Sequence, residues 1–370
     1  MVTMSLINKK YSKKNNFSDD NRIKIYKTNV GNIKKRNIKT RRLVKRNINK
    51  NKKNLNKSKK KVLLYETDYT INNENIYDIV KKYLSKERKL NHQIIKKYGK
   101  IENWDVSKIT NMSRLFQDYE SFNESLNNWN VSNVKNMSYM FAGVKTFNQL
   151  LDNWDVSKVK NMEGLFINCE SFNNSLNNWN VSNVNNMSHM FYNTKCFDQS
   201  LTNWEVSNVK NMSFLFYNAI SFNRSLNSWN ICNVKDMTSM FHLCSSYNSP
   251  LNNWNVSNVK SMIGVFWGAT SFNRPLNNWN VCNVISMNSM FSSANFFNQP
   301  LNNWNVSNVT NIESIFYETE CFNQPLNNWN VLNVTNMECM FTKATSYNQY
   351  LDNWNISNVT NMDCMFSKNI

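Results

Sequence analysis

The chain has 370 residues and a formal net charge of +19, from 44 Lys and Arg against 25 Asp and Glu. No run approaches the roughly 18 apolar residues of a membrane-spanning helix. Nor does the N-terminus carry an apolar leader before Lys9, which predicts an intracellular chain and leaves the nucleus or a virion open as destinations.

Residues 1–61 hold 22 Lys and Arg but only two acids, Asp19 and Asp20. This Lys/Asn-rich stretch has few aromatics and no sustained periodicity, the composition of a disordered tail. Its clusters Arg41, Arg42, Lys45, Arg46 and Lys59, Lys60, Lys61 are candidate polyanion contacts or import signals. Residues 101–370 carry 14 basic and 18 acidic side chains. The basic excess, and with it any nucleic-acid partner, is therefore assigned to the tail.

Residues 62–100 form the next segment. Within it Ile76, Ile79, Val80, Tyr83 and Leu84 recur at helical spacing over 75–98. They predict an N-terminal capping helix over whatever follows, since a terminal repeat needs a polar outer face.

From residue 101 onward a single period governs the chain. Trp104, Trp129, Trp154 and their successors to Trp354 recur every 25 residues without insertion. With Trp as position 0, Val or Ile fills positions 2 and 5, Phe fills position 12 from Phe116 to Phe366, and Leu fills position 22. Trp and β-branched residues alternating with polar ones predict a short strand. Position 7 is restricted to Asn, Asp (Asp236) or Ser (Ser261, Ser286), short oxygen-bearing side chains that cap a helical turn. Asn at positions 1, 4, 7 and 19 is expected to form ladders between turns. One strand and one short helix per unit predict an α/β repeat solenoid, a leucine-rich-repeat-like stack of about eleven coils over 101–370.

The run Trp-Asn-Val-Ser-Asn-Val-x-Asn-Met-Ser-x-Met-Phe, followed by Ser-Phe-Asn-Gln-Pro-Leu, resembles the BspA-like leucine-rich-repeat family. The resemblance implies a non-catalytic binding or adhesion surface. Secreted members of that family imply a surface adhesin, a role at odds with the missing leader.

Chemistry is sparse. His92, His189 and His242 occupy unrelated positions, and no phosphate loop, metal spacing or nucleophile motif occurs. Asp105, Asp155 and Glu205 share position 1 only in alternate coils. No enzyme activity, cofactor or metal is expected. The eight cysteines fall at scattered phases, suiting reduced thiols, except that Cys339 and Cys364 lie one repeat apart. Binding is the better expectation. Position 13 varies, and in four copies it is Tyr192, Tyr217, Trp267 and Tyr317, with His242 between. Such a row is a candidate protein-contact stripe. The leading reading is a protein-interaction scaffold, with nucleic-acid docking through residues 1–61 as the alternative. The last coil, lacking a visible cap, is a candidate for self-association.

Overall fold

The computed structural model describes residues 70–367, together with residues 45–47, 49, 50 and 52. The chain divides into two compact units, Met1–Thr70 and Ile71–Ile370. In the first unit residues 45–47, 49, 50 and 52, Lys45 and Arg46 among them, are helical and exposed. Arg41, Arg42, Lys59, Lys60 and Lys61 lie outside the described residues.

The second unit opens with two helices where one was expected, α1 over Ile76–Tyr83 and α2 over Arg88–Tyr98. Ile76, Ile79, Val80 and Tyr83 form the buried face of α1. The Ser85 hydroxyl accepts the Glu87 N–H in the break between the helices, and Gly99 ends α2 at φ +78°, a conformation that glycine adopts without steric cost. This segment lies against the first repeat, with Tyr83 edge-on to Trp104 at 5.2 Å. It also supplies hydrogen-bond acceptors to that repeat. The Asn73 side chain accepts the Thr110 N–H at 3.0 Å, and the Gly99 carbonyl accepts the Trp104 indole N–H at 3.2 Å. In later repeats both acceptors come from the coil before.

From Trp104 onward each 25-residue coil is hydrogen-bonded to the next at matching positions. Position 7 forms an unbroken series of parallel bridges, Asn111 to Asn136, Asn136 to Asn161, and on to Asn361. Between positions 8 and 15 the amides divide their partners by turns. Met212, Phe214, Phe216 and Asn218 donate to Asp236, Thr238, Met240 and His242 of the following coil. The intervening Leu215, Tyr217 and Ala219 donate to carbonyls three residues back within their own coil. Every second N–H thus leaves the coil, and its neighbours close overlapping turns.

This pattern explains why the expected helix and strand are absent from the described residues of the repeats. The Asn side chain at position 7 does cap, accepting the N–H two residues on, as Asn211 does from Ser213 at 2.9 Å. No helix follows, because position 10 is left-handed in every coil. Arg114, Tyr139, His189, Phe214 and Ser239 all have φ between 53° and 59°, and position 14 repeats the turn. Side chains other than glycine resist this region by roughly 1–2 kcal/mol, so the bonds to the neighbouring coils must hold them there. The Trp-x-Val segment is likewise no strand. Position 1 accepts the amide of position 3, as Asn130 does from Ser132 and Asp155 from Ser157, which bends the backbone where a strand would run straight.

The core is a set of columns of like residues. Phe191, Phe216, Phe241 and Phe266 stack face to face at 5.4–5.7 Å. From Phe116 to Phe341 each position-12 ring also lies on the position-18 ring of its own coil, as Phe216 on Phe222 at 4.2 Å. Trp204 and Trp229 run parallel, with centroids 6.1 Å apart. Each indole N–H is satisfied across the coil step, Trp229 donating to the Leu201 carbonyl at 3.0 Å. The same carbonyl accepts the Trp204 backbone N–H, so one oxygen uses both acceptor sites. At position 19 the Asn side chains form a true ladder. Asn223 accepts the Asn248 N–H, Asn248 the Asn273 N–H, and Asn273 the Asn298 N–H, at 2.8–3.1 Å.

Phe241 is fully buried between two rings of its column. Phe241→Ala is expected to cost roughly 3–5 kcal/mol, read as a lower urea midpoint, whereas Tyr350→Ala, at an 82% exposed site, should change stability by less than about 0.5 kcal/mol.

Candidate binding face

Position 13 follows the buried Phe of position 12, and its backbone is clamped on both sides. Its N–H donates to position 10 of its own coil, and its carbonyl accepts position 14 of the coil before, as Tyr217 does from Asn193 at 2.6 Å and Trp267 from Leu243 at 2.7 Å. Successive side chains are therefore held above one another and point out of the stack.

Four rings form a continuous column. Tyr192 and Tyr217 are parallel at 4.4 Å, Tyr217 and His242 lie 4.5 Å apart, and His242 and Trp267 are again 4.5 Å apart. Trp267, the upper end, is 41% exposed, and the next residue of the column is the buried Ser292. Tyr317 lies beyond that serine and does not join the column; the Lys343 ammonium sits 5.7 Å over its ring. Of the four residues singled out from sequence, three come together with His242, and the fourth stands apart.

Position 10 adds two rings that the sequence reading missed. His189 stacks on Phe214 at 4.7 Å, and each lies 6.0 Å from a column tyrosine, His189 from Tyr192 and Phe214 from Tyr217. The available signal was the same 25-residue phase, but position 10 holds so many residue types that its three aromatics, Tyr139, His189 and Phe214, pass as chance. Beside this patch runs a polar rail at position 14, where Asn218 donates to Asn193 and Asn193 to Asn168 at 2.7 and 3.0 Å. Because the rings cover one another's faces, the column presents edges to solvent. Trp267, at one end, is the most exposed ring of the column.

Burial sets the electrostatics. The Nδ1 atoms of both His189 and His242 are buried without a hydrogen-bond partner. Burial lowers both pKa values, that of His242 to about 4, so the imidazoles are neutral at physiological pH. The rings themselves are therefore uncharged, and the Glu163 carboxylate acts on His189 from beside them. Asp105 and Asp155, which share position 1, are drawn below the usual carboxylate range by hydrogen bonds from Ser107 and Ser157; they serve local turns. Cys339 and Cys364 occupy position 10 of adjacent coils; burial is the main cause that pushes the Cys339 thiol up, and Cys364 adds to it. Among the described residues no group of three His, Cys, Asp or Glu is placed to hold a metal ion, and no helix is long and apolar enough to cross a membrane.

A family model described as "Mycoplasma protein of unknown function, DUF285" matches residues 84–204, 193–302 and 276–370. No curated protein and no solved structure matches the chain.

The neutral His242 makes the stack pH-sensitive. The unfolded chain takes up a proton near pH 6.5, whereas folded His242 stays neutral to about 4. Stability is thus complete above 6.5 and declines as the pH falls toward about 4. Tyrosine already occupies this position in the two preceding coils, so His242→Tyr should fold. Its melting temperature is expected to fall less over that window than that of the unaltered protein.

Proposed function

We propose that this chain, which belongs to the family described as "Mycoplasma protein of unknown function, DUF285", is a non-catalytic repeat scaffold that holds a protein partner on its aromatic column. In this reading the stacked coils form a leucine-rich-repeat-like solenoid of the BspA-like kind. The register-matched parallel bridges support it, although each coil is built from turns. An intracellular site of action is part of the same proposal.

The observation that carries the reading is the unbroken contact from Tyr192 through Tyr217 and His242 to Trp267. Each ring is already immobilised by its neighbours, so a partner that packs on the ring edges loses little further side-chain entropy on docking. Tyr and Trp are the residue types most enriched at the buried centres of protein interfaces. The neighbouring Asn193 and Asn218 amides offer the polar rim.

The chain itself shows that small residues are tolerated at position 13, which is Ser292 in one coil and Thr342 in another. A Tyr192→Ser, Tyr217→Ser, Trp267→Ser variant of the full chain should therefore keep its fold. In affinity capture at high salt, a protein recovered by the unaltered bait should drop at least about tenfold with this variant, the loss of a single hot-spot's worth of binding energy. Undiminished recovery, with unchanged circular dichroism, would remove the column from the proposal.

A further inference from the structure

The strongest charged feature among the described residues is a single column on the outside of the stack. Position 6 is Lys135, Lys160, Asn185, Lys210, Lys235 and Lys260 in six consecutive coils. All six residues are exposed. Their backbones are tied in register, Lys160 N–H donating to the Lys135 carbonyl at 2.9 Å, Lys235 to Lys210 at 3.0 Å and Lys260 to Lys235 at 2.8 Å. Like charges are thus held one coil step apart, an arrangement that destabilises a pair of adjacent chains.

Among the other described cations of the stack, four form ion pairs, while Lys108, Arg114, Lys158 and Arg274 stand singly and build no column. Lys145 pairs with Glu120, Lys195 with Glu170, Arg224 with Asp198 and Lys343 with Glu318, each with an acid from the neighbouring coil. The five lysines of position 6 form no such ion pair. The acid beside them in sequence, Asp236, has a side-chain oxygen engaged by the Thr238 N–H at 2.9 Å. The column ends at Ile285, and Thr310, Thr335 and Thr360 continue it without charge.

We infer that this lysine column is a binding rail for the phosphate backbone of a single-stranded nucleic acid. At a step of about 4.8 Å per coil, Lys135 to Lys260 span about 24 Å in a straight line. A flexible single strand can follow that line and place phosphates within reach of successive ammonium groups. A duplex strand cannot, because a B-form turn takes about 34–36 Å and the strand winds out of reach within half of that. No exposed aromatic occupies position 6, so recognition is by charge and blind to sequence. The site is built wholly from residues of Ile71–Ile370 and shares none with the aromatic column.

Lysine footprinting on the full chain tests this without altering the protein. Acetylation is followed by mass spectrometry with and without a single-stranded oligodeoxythymidine, a duplex of equal length, and a sulfated polysaccharide. The expected result is protection of Lys135, Lys160, Lys210, Lys235 and Lys260 by the single strand, fading with added salt, while Lys145 and Lys195 are unchanged. Replacing the five lysines with Gln should then reduce the salt dependence, log K against log salt, by about 0.7 for each lysine that contacts phosphate. Equal labelling of the five with and without the single strand would overturn the inference, whatever the tail does. So would protection by the duplex or the polysaccharide in preference to the single strand.

Discussion

The structure depends on one constraint, that every coil contains the same number of residues as the next. Because each residue lies beside its equivalent 25 positions on, alternate amides of Met212–Asn218 find carbonyls in the following coil. A single insertion would offset every later bond at that step. The unbroken spacing of the Trp residues is the sequence expression of that requirement. It also gives the left-handed residues of positions 10 and 14 their support, since bonds to the neighbouring coils hold the backbone that would otherwise relax.

The same constraint separates the interior from the surface. Inside, columns repeat, because each buried ring must fill the same enclosed space as the one stacked on it; hence Phe at position 12 and Trp at position 0 in each coil. Outside, nothing forces uniformity. Positions 6, 10 and 13 vary from copy to copy, and wherever they do agree over several coils the result is an extended surface of one chemistry: lysines over 135–260, rings over 192–267. The N-terminal helices fit the same logic. Asn73 and Gly99 stand in for the acceptors that a preceding coil provides later in the chain.

Several of these features were legible in the sequence. The period, the inward-facing Trp, Val, Phe and Leu, and the Asn ladder follow from counting which positions admit only one chemistry. The local backbone was not. A cap at position 7 and alternation after Trp are the same signals that announce a helix and a strand, and only the bonds between coils redirect both into turns. Left-handed residues usually betray themselves as glycine. Four of the six glycines, Gly143, Gly164, Gly264 and Gly268, do fall at positions 10 and 14, but Arg114, Phe214 and Cys339 occupy the same conformation and dilute that signal. The aromatic column was visible as a phase, but its break at Ser292 and its extension through His189 and Phe214 required geometry. The lysine column was hidden by arithmetic, because the acids of other columns cancel it in the charge of residues 101–370.

The register between coils is open to one direct measurement. Ser289 and Ser314 occupy position 10 of adjacent coils, and Ser239 lies two coils before Ser289. Adjacent positions are about 4.8 Å apart, within disulfide range, whereas two steps of about 9.6 Å exceed it. Under mild oxidation by a small-molecule disulfide, a Ser289→Cys, Ser314→Cys variant that also carries Cys339→Ser, to remove the next thiol of the same column, should form the intramolecular link, located by peptide mass spectrometry. A Ser239→Cys, Ser289→Cys variant should not. A link in the second variant, or none between the adjacent pair, would contradict the stacking of each residue beside its equivalent in the next coil.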